Sequence, residues 1–158
     1  MAFRHKVGRT KLMRLLKRAT LTAAITKGDW LTQSDTGNAG LHAFADDGGT
    51  TDATSPLPVF GLAAQDVATT NTTAGLISVE APLENYVEWE FDVDSDGGLV
   101  ASDVGGLRDI DTLGRNLDRS KAIRKDIKIT RLISTSRGVG ILQSTPNTAS
   151  VRQATIST

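Results

Sequence analysis

The chain has 158 residues, 18 acidic and 18 basic side chains, and no cysteine. Without cysteine it can form neither a disulfide nor a thiolate site for catalysis or metal binding. Its length fits one ordinary domain, and an aromatic share of only 4% predicts a core of small and β-branched side chains. The apolar stretch near the N-terminus is interrupted by Arg14, Lys17 and Arg18, so neither a signal peptide nor a membrane-spanning helix is predicted.

Charge is separated into blocks along the chain. Residues 1–18 carry seven bases and no acid, residues 29–111 carry sixteen carboxylates and one base, Arg108, and bases prevail again from Arg115 to Arg137. Such blocks can pair with each other inside one domain, or they can match a second copy or a partner with the opposite pattern. The sequence leaves both alternatives open.

The predicted organisation has three parts: a basic N-terminal arm over residues 1–18, a β-domain over 19–142 and a polar tail over 143–158. Residues 10–19 fit either a short amphipathic helix, because leucines recur at spacings of three and four, or a strand. Beyond the arm, short β-branched runs are separated by Gly, Asp, Asn and Pro. This pattern favours a single small β-barrel or β-sandwich.

Alternating or compact apolar runs mark the individual strands. The segment 85–91 alternates most strictly, so one of its faces should enter the core and the other should be wet and acidic. The core face holds Val87, Trp89 and Phe91, and the wet face holds Tyr86, Glu88 and Glu90. The full set of predicted strands is 19–26, 30–32, 41–44, 58–64, 76–80, 85–91, 126–133 and 138–142.

Groups for catalysis are scarce. The only histidines are His5 and His42, which is too little for a catalytic triad or a histidine-rich metal site. Glycine pairs lie among acids, which disfavours a phosphate-binding loop. The basic N-terminal block has only Phe3 for stacking on a base, so neither nucleic acid nor a membrane is an expected partner. An enzyme is therefore the class that the sequence favours least.

One acidic loop has the spacing of a calcium site. Positions one, three, five and twelve of this loop are Asp92, Asp94, Asp96 and Asp103, and position six is Gly97. Position twelve is Asp rather than Glu, and the loop follows a predicted strand rather than a helix. An acidic turn between strands is the favoured interpretation, and calcium is the only cofactor that the sequence suggests.

The order of several short motifs resembles a known family. The motifs are AITKGDWL, a Gly/Thr/Asp-rich loop, PVFGLAA, NTTAGLISVEAP, YVEWEFDVDSDGGL and ITRLISTSRGVGIL, and the likeness covers roughly residues 19–142. This order is similar to that of the small head decoration (cement) proteins of tailed phages. The resemblance implies a β-barrel or β-tulip domain, made in the host cytoplasm, that sits on the capsid surface of the virion. There it would bind the major capsid protein and neighbouring copies of itself, as a homo-oligomer such as a trimer.

The arm is expected to make the partner contacts, with leucines supplying affinity and bases supplying registry. Two other classes stay open, namely a tail, neck or adaptor component of a virion and a calcium-dependent extracellular β-module. The predicted contact residues are Leu12, Arg14, Leu15, Leu16, Lys17 and Arg18, facing an apolar groove and carboxylates such as Glu84, Glu88 and Glu90 of the next copy.

Overall fold

The computed structural model describes residues 3–33, 40–43, 59–73, 75–84, 86–94, 97–111, 113–122 and 125–143. This part of the chain contains eleven strands and one short 3-10 helix, Ala101–Asp103. The chain is therefore mainly β, as predicted. The strands are β1 (Arg4–Val7), β2 (Thr10–Lys17), β3 (Trp30–Gln33), β4 (Leu41–Ala43), β5 (Val59–Ala63), β6 (Gly75–Pro82), β7 (Glu88–Asp92), β8 (Leu107–Ile110), β9 (Leu117–Asp118), β10 (Ile127–Leu132) and β11 (Arg137–Leu142).

The first sheet has six strands in the order β1-β7-β11-β10-β8-β9. All of these neighbours pair in antiparallel fashion. β8 and β9 come from a stretch in which the sequence showed no clear periodicity, so they were missed. The edge strands of the first sheet are β1 and the two-residue β9.

The second sheet pairs in the order β2-β4-β3-β5-β6, and β6 pairs again with β2. Its longest ladder joins β2 to β6, from Thr10 opposite Pro82 to Lys17 opposite Gly75. Its shortest junction joins β2 to β4 in parallel through one position, Lys17 opposite Leu41. All other junctions of this sheet are antiparallel ladders of two or more positions.

Two hydrophobic clusters share β3 and β5. Trp30 and Leu62 belong to the first cluster, together with Trp89 and other residues of the first sheet. Their chain neighbours Leu31 and Ala63 belong to the second cluster, inside the second sheet. Because successive side chains of a strand point to opposite faces, β3 and β5 are buried on both sides. The two sheets therefore pack on each other through these two strands.

The basic N-terminal segment is part of the β-domain and not an arm. β1 pairs with β7 and β2 pairs with β6, so the predicted boundary at residue 19 is wrong. Residues 10–17 are strand rather than helix, because β6 supplies a full ladder and buries alternate residues of β2. Residues 19–26, predicted as a strand, instead contribute an isolated bridge between Ile25 and Val67.

Parts of three predictions fall on residues that the structure does not describe. Residues 144–158 of the predicted tail, Phe44 of the predicted strand 41–44 and Asp96 of the acidic loop lie outside the described ranges. Within those ranges, no helix has the length and apolar character needed to cross a membrane.

Candidate interaction surface

The acidic carboxylates that were predicted to receive a neighbouring arm are paired within the chain. Arg9 Nε lies 3.2 Å from Glu84 Oε2, Arg131 Nη2 lies 3.4 Å from Glu88 Oε2, and Lys6 Nζ lies 3.3 Å from Glu90 Oε2. The charge blocks thus pair inside the domain, and docking of a neighbouring copy at these three carboxylates stays a prediction, because each of them already has a partner in its own chain. Further ion pairs join Arg4 to Glu90, Arg137 to Asp92, Arg115 to Asp29 and Arg119 to Asp103.

Glu90 is the centre of this pairing on the outer face of the first sheet. It is buried, although strand alternation predicted that it would be wet. The hydrogen bond from Arg4, assisted by Lys6, outweighs the effect of burial and holds the pKa of the Glu90 carboxyl below its ordinary value. The other predictions for β7 and its flank are confirmed: Val87, Trp89 and Phe91 are buried.

Two of the predicted contact residues face inward. Lys17 is buried, and its Nζ donates to the carbonyl oxygens of Arg18 at 2.7 Å, Asn71 at 3.3 Å and Ala19 at 3.5 Å. Leu15 is half-buried and packs on the second cluster. Because β2 is a strand and its alternate positions face the core, Lys17 is buried and only part of the Leu15 side chain is accessible to a partner.

The remaining positions of β2 form an exposed apolar surface with β6. Leu12 and Leu16 point outward from β2, and Leu76 points outward from β6 directly opposite Leu16. Their exposed fractions are 66% for Leu12, 45% for Leu16 and 53% for Leu76. We call these three residues the leucine stripe. Exposed apolar side chains rimmed by polar groups on a regular sheet face are typical of interaction sites.

One cation, Arg14, lies on the same face of β2 as the leucine stripe, between Leu12 and Leu16. Its side chain is exposed and, among the described residues, makes no ion pair. The carboxylate nearest in register is Glu80, opposite Leu12, but its Oε1 already accepts a hydrogen bond from Thr10 Oγ1 at 2.8 Å. The surface therefore combines apolar side chains with positive charge that is not neutralised locally, which suits an apolar partner surface bordered by carboxylates.

His5 contributes to a cleft between the two sheets. The cleft has a volume of about 240 Å³ and is lined by Phe3, Arg4, His5, Lys27, Gly28, Leu62, Ala63, Ala64 and Glu80. His5 Nε2 lies 2.8 Å from the carbonyl oxygen of Gly8, and Nδ1 lies 3.5 Å from Glu80 Oε1. Both ring nitrogens thus have structural partners that tie β1 to the second sheet. The side chain of the other histidine, His42, lies outside the described part of the chain.

The acidic loop does not assemble a calcium site in the described part of the chain. Asp103, predicted as the twelfth ligand, is buried and accepts hydrogen bonds from Arg119 Nε at 2.9 Å and Arg108 Nη2 at 3.2 Å. Asp92 accepts one from Arg137 Nε at 3.1 Å. No group of three or more potential metal ligands occurs among the described residues. Asp92 and Asp103 are thus engaged by arginines, whereas Asp96 lies outside the described residues, so the calcium loop as a whole stays a prediction.

Of the predicted contact residues, Leu12, Arg14 and Leu16 lie on the exposed face of β2, and Leu76 of β6, on the same face, was not predicted. The missing signal was the alternation of Leu76 with the buried Ile77, which places Leu76 on the outer face once residues 75–82 are a strand. Comparison of this chain with models of protein families, with curated protein sequences and with solved structures found no match.

Proposed function

We propose that this chain is a virion structural protein that decorates and stabilises a capsid. It acts by binding rather than by catalysis, its partners are the major capsid protein and neighbouring copies of itself, and its place is the outer capsid surface. The observation that carries the proposal is the leucine stripe together with Arg14, which makes no ion pair within the described part of the chain. The motif order that resembles head decoration proteins supports the choice of a capsid as the partner.

The stripe is suited to docking because it is rigid. Its leucines sit on the longest ladder of the second sheet, and the next residues, Leu15 and Ile77, anchor the same strands in the second cluster. A rigid surface loses little conformational entropy on binding. We further propose that β2, β4, β3, β5 and β6 close into a small barrel, which would fix the positions of the three leucines relative to one another.

The proposal is tested by adding the protein to particles that display the major capsid protein without decoration. The variant Leu16→Ser with Leu76→Ser should bind at least about tenfold more weakly than the native chain, because buried apolar anchors dominate interface energies. The matched control is Ile133→Ser, which removes a side chain of similar exposure, 48%, from the turn between β10 and β11.

Equal binding of the stripe variant and the control would reject the stripe as the docking surface. Failure of the native chain to bind any undecorated particle would reject the decoration function itself. The copy number in purified virions separates decoration from a tail, neck or adaptor role. A decoration protein should be present in amounts comparable to the major capsid protein.

A further inference from the structure

A second exposed apolar group lies where β1 turns into β2 and β6 leads into β7. Val7 is 53% exposed, Leu83 is 40% exposed and Tyr86, the only tyrosine of the chain, is 78% exposed. We call the segments Val7–Arg9 and Leu83–Val87, without residue 85, the tip. Tyrosine is among the residues that most often dominate binding energy at interfaces, and here its ring is almost fully in solvent.

The two turns of the tip are held together tightly. The backbone N–H of Leu83 donates to the carbonyl oxygen of Arg9 at 3.0 Å. Arg9 in turn donates from its backbone N–H to Glu84 Oε1 at 3.0 Å and from Nε to Glu84 Oε2 at 3.2 Å. Gly8 has φ of +101°, and a Cβ at this position would lie 2.9 Å from Val87 Cα. The tip is thus an ordered platform on which the apolar side chains are presented.

The charges of the tip differ from those beside the leucine stripe. The tip carries one exposed cation, Arg9, next to one carboxylate, Glu84, whose pKa the N–H and guanidinium of Arg9 hold below its ordinary value. The Arg9–Glu84 pair leaves the tip without net charge, so two copies related by a two-fold axis can meet there without repulsion between like charges. Two leucine stripes, by contrast, would bring like charges together through Arg14.

We propose that the tip is the surface through which two copies of this chain associate. The contact is isologous, with Tyr86 and Leu83 of each copy packed across the axis and with the Arg9–Glu84 pair of each copy at its rim. This assigns the two exposed apolar surfaces to different partners: the stripe to an acidic-bordered apolar partner, and the tip to a second copy. Its role on the capsid rests on the proposed function, whereas the association itself does not need a particle.

The test is sedimentation equilibrium of the isolated protein over a concentration series. The native chain should associate reversibly, and Tyr86→Ser should weaken this association about tenfold or more. The control is Leu113→Ser, which removes a side chain that is 47% exposed beside β9, at the opposite edge of the first sheet from β1. It should leave association unchanged. A native chain that stays monomeric, or equal behaviour of the two variants, would overturn the proposal.

A charge-exchange experiment tests the geometry. Arg9→Glu gives an acidic tip and Glu84→Arg gives a basic tip, so each variant alone should associate less than the native chain, whereas an equimolar mixture should associate at least as well. A mixture no better than its components means that these side chains do not face each other across copies. Binding of the tip variants to undecorated particles is measured in parallel. If the tip variants lose self-association but still bind particles, the tip contact is separate from the decoration function, which is retained. If the native chain self-associates but binds no particle, the decoration function is rejected and the tip contact is retained.

Discussion

Leu16 of β2 lies directly opposite Leu76 of β6, and both side chains are exposed. One residue earlier on β2 and one residue later on β6, Leu15 lies opposite Ile77, and these two side chains enter the second cluster. Two adjacent cross-strand pairs of the same chemical character therefore have opposite environments. Strand parity, not hydrophobicity, decides which pair stabilises the fold and which is free to bind a partner.

The first prediction separates these two pairs by stability. Leu16→Ser combined with Leu76→Ser should change the free energy of unfolding by no more than about 0.5 kcal/mol per residue, because both side chains are exposed. Ile77→Ala should cost about 2–5 kcal/mol, because it opens a cavity in the second cluster. Urea unfolding followed by the fluorescence of the buried Trp30 and Trp89 measures both. A loss from the stripe variant as large as that from Ile77→Ala would show that the stripe is part of the core.

The second prediction concerns the two faces of β7. Trp89 is fully buried, and its ring meets that of Trp30 edge to face at a centroid distance of 5.2 Å. Trp89→Ala should therefore cost about 3–5 kcal/mol of unfolding free energy. Glu88→Ala removes only a partly exposed ion pair with Arg131 and should cost less than about 1 kcal/mol. Similar midpoints for the two variants in a denaturant melt would contradict the assignment of faces.

Local alternation was enough to predict much of the fold. β5, β6, β10 and β11 have apolar runs or period-two patterns, and the predicted strands overlap them. The segment 10–17 could not be assigned from its own residues, because leucines at positions 12, 15 and 16 fit a helix as well as a strand. Its conformation is set by β6, whose paired residues lie 58 to 72 positions further along the chain and are not contained in the local pattern.

The partner surface was only half predictable for a related reason. The sequence predicted Leu15 and Lys17 as contact residues beside Leu12 and Arg14. The alternation of β2 turns Leu15 and Lys17 toward the core. Burial of Lys17 is unusual for its residue type and is compensated by three carbonyl acceptors from two separate turns. In the same way, Glu90 is buried on the outer face because β1 brings Arg4 and Lys6 against it.

The third prediction is the pH dependence that follows from Glu90. Its pKa in the folded state is lower than its ordinary value of 4.5, so the folded state holds the ionised form more strongly than the unfolded state does. This stabilisation is complete above the ordinary value and is lost as the pH falls through the lower folded-state pKa. The midpoint temperature of unfolding should therefore fall on acidification from pH 5 to pH 3.

Glu90→Gln is the variant that isolates this effect. It should be less stable than the native chain at neutral pH, and the difference between the two should shrink as the pH approaches the folded-state pKa of Glu90. Asp103 should add to the acid sensitivity of both proteins. Burial alone would raise its pKa, but the N–H of Val100 and the guanidinium of Arg119 hold it below the ordinary value. If the difference in midpoint temperature between the native chain and Glu90→Gln is the same at every pH, Glu90 does not cause the acid sensitivity.

The last prediction concerns Lys17, whose backbone makes the single pairing between β2 and β4 and whose side chain bonds the following turn. Lys17→Ala leaves the carbonyl oxygens of Arg18, Ala19 and Asn71 without their charged donor and should cost about 1–3 kcal/mol of unfolding free energy. Lys11→Ala, at an exposed position of the same strand, should cost less than about 0.5 kcal/mol.

Hydrogen exchange locates the effect of Lys17→Ala. The backbone N–H of Arg18 donates to the carbonyl oxygen of Leu41 at 3.0 Å, beside the β2–β4 pairing. If Lys17 holds this junction closed, the Arg18 amide should exchange faster in Lys17→Ala by more than the loss of global stability explains, because the junction would open locally. Amides in the middle of the β2–β6 ladder should follow global stability alone. Exchange at Arg18 that changes only in step with those amides would mean that the junction does not depend on the lysine side chain.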